Sequence, residues 1–396
     1  MTISKFSFRD QFRKWELKEV LFNDFNLLVG QSGVGKTKIL NSIQAVCRAA
    51  VAETDKIPNC KWSLEVVVER DTYLWEAETV NNRKFDPEKR SFSEIPFRNA
   101  TVSFATEKII KNRDQVIVDR SENRFIFNGA TLPKLNNNES AITLLRDEDS
   151  LLRLNKALSH IRLNFLNEWE HEWLQAMIFF VMLDKESVDK VREKCPTLDQ
   201  LRTDTDVAFL MKAYILQEDY PQEFSSLKLD YLEIFPTVID IKINPKSQFD
   251  KSSQADGSLF PDSVSIGIKE KGVSDWILDF YMSAGMLRTF FHLLEIALSP
   301  PGAVILVDEF ENSLGANCLP PLTDRLLRRT DMQFILTSHH PYIINNIPMR
   351  YWKLVTRKGS EVTVKDENSI RGLDKNSLLS GFVQLTNLEE YEEAIQ

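Results

Sequence analysis

The chain has 396 residues, 43% hydrophobic and 27% charged, enough core-forming side chains for one large domain or a few smaller ones without disulfide or metal staples. Its 49 Lys and Arg against 58 Asp and Glu leave a formal charge of -9, which argues against a whole-surface basic footprint for nucleic acid and leaves room only for a local basic groove. Cys47, Cys60, Cys195 and Cys318 are scattered without a CxxC pair, and no stretch reaches the roughly 18 apolar residues of a membrane span. A reducing cytoplasm, with no membrane as partner, is therefore the expected compartment.

In chain order, "KFSFRD" and "KEVLFN" alternate as strands, and "FNLLVG" is a compact apolar run ending in glycine, as a buried strand does. A helix is predicted from Lys36 to about Ala50. "WSLEVVVERDTYLWEAETV" predicts an antiparallel hairpin around Arg70 and Asp71, and "TVSFAT", "QVIVDR" and "RFIFNG" add strands. From about Ser150 the period becomes helical: Leu151, Leu154, Leu158, Ile161 and Phe165, continuing through Trp169, Trp173, Met177 and Phe180, so 150–235 reads as a mostly helical insertion. Strands return in "TVIDIKIN" and "SVSIGIKE" around the polar loop "PKSQFDKSSQADGSLFPD". A helix opening at Ser283 follows, then the strand "AVILVDE", a helix through "LTDRLLRR", the strand "QFILT", a hairpin around "WKLVTRKGSEVTVK" and an acidic tail. The expected division is 1–149, 150–235 and 236–396.

Three stretches carry chemistry. "GQSGVGKT", Gly30 to Thr37, satisfies G-x-x-x-x-G-K-[ST] between a predicted strand and a predicted helix. The glycines Gly30, Gly33 and Gly35 let the loop bend so that the backbone N–H groups of Gln31, Ser32, Val34 and their neighbours point at phosphate. Lys36 neutralises the β and γ oxygens, Thr37 can ligate magnesium, and Lys38 follows in the first helical turn. In "AVILVDEFEN" a buried strand delivers Asp308 and Glu309 at its carboxyl end, which is costly without a cation or partner. Asp308 would reach Mg2+ through water and Glu309 would polarise the attacking water. "FILTSHHPYIINNIP" ends a further strand at His339 and His340, and His339 can reach the γ-phosphate. An Asn-Lys-x-Asp base reader of GTPases is not formed by "NKAL" at 155–158. Arg328 or Arg329 as an AAA+ ring finger would leave Ser283 and His339 unexplained. Trp15 and Phe8 read as core aromatics before base-stacking ones, and "EWEHEW" around His171 as surface with buried tryptophans.

With "VGQSGVGKTKIL", "MSAGMLRTFFHLLEIAL", "VILVDEFENSLG" and "LTSHHPYIINNIP" in this order, the chain resembles the ABC-type AAA ATPases grouped with the OLD proteins and the SMC-like repair ATPases, particularly stand-alone bacterial anti-phage members. The resemblance implies an α/β, ABC-type P-loop ATPase head, with a mixed and partly parallel sheet core, an antiparallel β lobe and a helical insertion, using ATP and Mg2+. It further implies a Walker A loop at Gly30 to Thr37, Walker B ending at Asp308, Glu309 as catalytic base, His339 as switch and Glu107 as a possible Q-loop residue. Ser283, Ala284 and Gly285 would be a signature facing the nucleotide of a second subunit, with Arg288 near phosphate and Glu311, Asn312 and Ser313 as a D-loop crossing to the partner. A homodimer or larger even-numbered assembly follows, acting on a separately encoded nuclease or toxin, with DNA or RNA as a further partner. Little chain follows His340 for a Toprim nuclease, so cutting is expected to belong to another protein. The alternatives are an SMC-like DNA-repair or DNA-clamping ATPase, and an ATP-bound scaffold that holds an effector inactive with little turnover.

Overall fold

A computed structural model describes residues 1–52, 57, 59–81, 102–133, 135–163, 181–249, 262–312, 314–374 and 380–392. The strands in chain order are β1 (Thr2–Asp10), β2 (Trp15–Leu21), β3 (Phe25–Val29), β4 (Cys60–Val68), β5 (Asp71–Asn81), β6 (Val102–Lys111), β7 (Gln115–Ser121), β8 (Arg124–Phe127), β9 (Ala130–Thr131) and β10 (Ile161–Leu163). After them come β11 (Val238–Pro245), β12 (Val264–Glu270), β13 (Ile277–Leu278), β14 (Val304–Val307), β15 (Gln333–Thr337), β16 (Trp352–Lys358) and β17 (Glu361–Asp366). The chain forms two compact units, 1–163 with 302–310 and 329–396, and 164–301 with 311–328.

The first unit holds a 14-stranded sheet in the order β10-β14-β15-β3-β16-β17-β2-β1-β4-β5-β6-β7-β8-β9. Its first five strands run parallel. Strands β3, β14 and β15 are buried along their whole length, which is why they read as mainly apolar runs and not as alternation, with the buried Asn26 and Gln333 donating to backbone carbonyls. From β2 outward every pair is antiparallel, and β4 alternates strictly between buried and half-exposed positions, as a sheet packed on one face does. The helix Lys36–Ala49 follows β3 and buries Ile39, Leu40, Ile43, Val46 and Cys47 in the same core as Phe6, Leu28, Trp62 and Trp75. Burial of these side chains places the thiol of Cys47 well above its usual range and holds it as an inert apolar group.

Glu107, expected as a possible Q-loop residue, lies in β6 opposite Arg120 of β7 and is 1% exposed. Its carboxylate accepts from Arg120 Nη1 at 3.2 Å, Trp75 Nε1 at 3.0 Å and Ala141 N at 2.8 Å. Arg120 also donates to the carbonyls of Glu139 and Asn136, each at 2.9 Å, and its guanidinium lies over Phe104 and Phe125. This network ties the connection leading to the helix Ala141–Leu144 onto the β lobe.

In the second unit the helices Lys185–Lys194, Leu198–Thr203, Phe209–Asp219 and Pro221–Ile234 lead into the antiparallel strands β11-β12-β13. Sequence signals set their starts: Asp184 accepts from Ser187 N, Thr197 and Gln200 make a reciprocal capping box, and Pro221 opens its helix. Gln217 covers the edge of β11 by bonding both the N–H and the C=O of Ile243, at 2.8 and 2.9 Å. Tyr231 packs against Phe290 of the helix Ala284–Leu298 and against Phe235.

One expectation changes here. The helical period read through Ile161 stops at Ser159, because Ile161–Leu163 pairs in parallel with β14 as the edge of the core sheet. The first compact unit runs through Leu163, and the second takes in β11–β13 and the helix Ala284–Leu298. Phe165, Trp169, His171, Trp173, Met177, Phe180 and most of the polar loop lie outside the described residues.

Candidate nucleotide site

Strands β3, β14 and β15 run side by side in the same direction, so their carboxyl ends open on one edge of the sheet, the position where parallel α/β sheets bind ligands. The loop after β3, the Asp308–Glu309 turn after β14 and the residues after β15 meet there. They enclose a cavity of about 230 Å³ lined by Ser32, Gly33, Gly35, Lys36, Thr37, Lys38, Asp308, Glu309, Thr337 and His339. Nine of these ten are residues that the sequence pointed to.

The remaining loop residues shape the turn. Val34 is fully buried in the core, anchoring the middle of the loop. The carbonyls of Gly30 and Gln31 accept from Lys36 Nζ at 2.8 and 2.9 Å, which folds the ammonium back across the loop. Gly30 has φ 149, and a methyl group added to it would lie 2.5 Å from the Val355 carbonyl oxygen on β16. Gly30→Ala is therefore expected to displace the loop at a cost of about 1–3 kcal/mol, weakening ATP binding by about tenfold or more in a fluorescence titration. Affinity unchanged within twofold would show that the loop tolerates the side chain.

After β14 the chain turns sharply. Glu309 has φ 47, a left-handed conformation that disfavours a side chain, and it stands exposed on the cavity wall. Its N–H donates to Thr337 Oγ1 at 2.7 Å, Phe310 N donates to the Thr337 carbonyl at 3.0 Å, and Thr337 Oγ1 donates to Asp308 Oδ1 at 2.6 Å. The sequence alone marks Thr337 only as the end of a core strand. The signal available is a hydroxyl at the buried carboxyl end of that strand, a position that demands a partner. His339 reaches the cavity wall. His340 turns away, its Nδ1 accepting from Tyr342 N at 3.2 Å to cap the helix Pro341–Asn346. Trp15 and Phe8 are buried and in contact with each other.

The donor set suits magnesium: one carboxylate, Asp308, and one hydroxyl, Thr37, on the same cavity, leaving most positions for water and phosphate oxygens as that ion prefers. Among the described residues, no group of three or more His, Cys, Asp or Glu could form a metal cage.

The other expected site residues belong to the second unit. Ser283 is exposed and caps the helix Ala284–Leu298, accepting from Met286 N at 3.2 Å. Ala284 and Gly285 form its half-buried first turn, and the Gly285 carbonyl accepts from Thr289 Oγ1. Arg288, expected near phosphate, is 6% exposed, and its Nη1 donates to the carbonyl of Asn312 at 3.4 Å. Burial lowers the pKa of that guanidinium. Glu311 and Asn312 thus sit beside the start of the same helix, whereas Ser313 lies outside the described residues. Glu107 does not line the cavity.

A parallel core with a phosphate loop, an Asp-Glu strand end and a neighbouring strand that closes the cavity defines an α/β P-loop ATPase head of the ABC type. Among known families, the one described as "AAA domain, putative AbiEii toxin, Type IV TA system" matches residues 25–345, and the chain belongs to that AAA-domain family. No match is found among curated proteins. Among solved structures, the chain is similar to an SmcHead bound to the C-winged helix domain of ScpA, at 14% identity and TM-score 0.46, covering 92% of this chain and 98% of that one. It is also similar to an Smc head domain with an extended coiled coil bound to the C-terminal domain of ScpA derived from Pyrococcus furiosus, at 14% identity and TM-score 0.39, covering 92% and 95%. No helix among the described residues is long and apolar enough to cross a membrane.

Proposed function

We propose that the chain binds ATP with Mg2+ in this cavity, hydrolyses it, and pairs with a second copy while ATP is held, so regulating a separately encoded toxin or nuclease in bacterial anti-phage defence. The observation that carries the reading is the convergence of Lys36, Thr37, Asp308, Glu309 and His339 on one cavity at the carboxyl ends of three parallel strands. The loop N–H groups and Lys36 hold the phosphates, and Lys36 exchanges its two loop carbonyls for phosphate oxygens. Thr37 and Asp308 hold the metal ion, which neutralises charge on the β and γ phosphates when bound. Glu309 accepts a proton from the attacking water, and His339 contacts the γ-phosphate from the neighbouring strand. Ser283 stands exposed at a helix start with its hydroxyl on Met286 N, a group suited to bonding the γ-phosphate held by a partner. The family description, which names a putative toxin of a type IV toxin–antitoxin system, supports a role in such a system.

The test is mass in solution with and without ATP and Mg2+, alongside phosphate release. The wild type should hydrolyse ATP and gain mass with it. Ser283→Arg should bind ATP within about threefold of wild type yet lose the ATP-dependent gain. Association indifferent to nucleotide in both proteins would overturn the two-subunit reading.

A further inference from the structure

Asp308 and Glu309 are adjacent in sequence but have different tasks in the proposed hydrolysis, one toward the metal ion and one toward water. Their geometry converges on a third side chain. Thr337 is fully buried at the end of β15, one residue past the last position paired with β14 and opposite Leu28 of β3. A threonine hydroxyl has one proton to give, and here it goes to Asp308 Oδ1 at 2.6 Å. The same oxygen accepts the Glu309 N–H at 2.7 Å, and the threonine carbonyl accepts the next one, from Phe310, at 3.0 Å. Two consecutive amides of the turn are thus fixed to one residue of the neighbouring strand. That fixing offsets the left-handed φ of 47 at Glu309, which is unfavourable for a non-glycine residue. With Oδ1 bound to the hydroxyl, rotation of the Asp308 carboxylate is restrained, which would hold it in one orientation toward a metal ion.

We infer that Thr337 is a positioning residue for ATP hydrolysis: its single hydroxyl sets the orientation of the Asp308 carboxylate and the backbone conformation that aims Glu309 into the cavity. This rests on the proposed ATPase reading and adds a residue to it. Both groups of Thr337 that face the turn are already bonded, the hydroxyl to Asp308 and Glu309 and the carbonyl to Phe310. Its effect passes through its two neighbours, so it should change the rate of the chemical step and the metal requirement more than nucleotide affinity.

The experiment compares wild type with Thr337→Val, Thr337→Ser and Thr337→Cys. It measures kcat and KM for ATP, ATP affinity, and the Mg2+ concentration giving half-maximal activity. Valine keeps the branched shape and deletes the hydroxyl, leaving Asp308 Oδ1 and Glu309 N–H without that partner. The expected result is a kcat lowered about 10- to 100-fold with ATP affinity within about threefold, and a raised Mg2+ requirement. Serine should recover kcat to within about fivefold of wild type and restore the Mg2+ requirement. If the valine protein does not fold, Thr337→Cys carries the test, since it nearly matches the size but bonds weakly, and it should fall between serine and valine. A kcat in the valine and cysteine proteins within twofold of wild type, or a serine protein as impaired as valine, overturns the positioning role and leaves the ATPase reading intact. A wild type that releases no phosphate overturns both.

Discussion

Replacing Glu309 by Gln should cut ATP turnover by about 10²- to 10⁴-fold, the range a positioned general base supplies, while ATP binding stays within about threefold of wild type. The change is nearly isosteric and deletes only the ability to take a proton. The contacts that hold residue 309 in place are made by its backbone, through the N–H on Thr337 Oγ1, and by its neighbour Phe310, so they survive the substitution. The phosphate-holding groups, from Gly30 to Lys38, and the carboxylate of Asp308 are untouched. Because the proposed pairing needs bound ATP and ends on hydrolysis, the same variant should accumulate as the ATP-associated species. Its mass gain should persist for the length of a sizing experiment in which the wild type returns to its starting mass. Phosphate release and light scattering on one sample decide the matter. Turnover within fivefold of wild type would assign the proton to another group, and loss of ATP binding would show that Glu309 shapes the loop and not the chemistry.

Much of the first unit was legible because its signals are local. A strand buried on both faces is mostly apolar, so despite Asn26 and Gln333, which donate to backbone carbonyls, "FNLLV", "VILV" and "QFILT" announce themselves. The loop after the first of these has a spacing set by phosphate geometry. Alternation in β4 revealed the antiparallel lobe in the same way. The failures are long-range. Ile161 continues a helical period with Leu154 and Leu158, and only its pairing with Val304, far along the chain, makes it a strand. Neither Gly nor Pro separates helix from strand there to warn of the change.

The site divides along the same line. Residues that must meet a ligand are marked by type and position: glycines, Lys36, and acids ending a core strand. Residues that hold those residues are marked only by their partners. Thr337 looks like any threonine at a strand end until Asp308 and the turn amides are seen on its hydroxyl. Glu107 and Arg120 are thirteen positions apart on neighbouring strands, and neither type nor spacing reveals that they share a buried network. Arg288 is expected near phosphate only from the family resemblance, and its contact with the Asn312 carbonyl, made by a buried guanidinium, is likewise invisible in the sequence.

That buried network carries the second large effect. Arg120→Met should lower the stability of the first unit by about 3–5 kcal/mol, the cost of removing one partner from a buried ion pair. Three losses combine: Glu107 stays buried without its cation, and the carbonyls of Glu139 and Asn136 lose their donor. Glu107→Gln should cost less, because its one amide oxygen still accepts from Ala141 N and the arginine keeps its two carbonyls, although the NH2 then replaces the oxygen that accepts from Trp75 Nε1. The double variant should fall short of the sum, as contacting partners do. Burial pushes the Glu107 carboxyl from 4.5 up to about 7, against the opposing pull of Ala141 N–H, Arg120 and Trp75. The unfolded chain releases this proton near its ordinary value, while the folded one keeps it to about 7. Folding therefore takes up a proton in that window, and stability declines as pH rises from 4.5 to 7 and stays at the lower level above it. Glu107→Gln removes this part of the pH dependence. Arg120→Met widens the window upward, since the carboxylate loses its nearest positive charge. Urea unfolding of the three proteins between pH 5 and 8 measures all of this. An arginine variant within 1 kcal/mol of wild type, or a wild-type pH profile unchanged by Glu107→Gln, would show that the pair contributes packing alone.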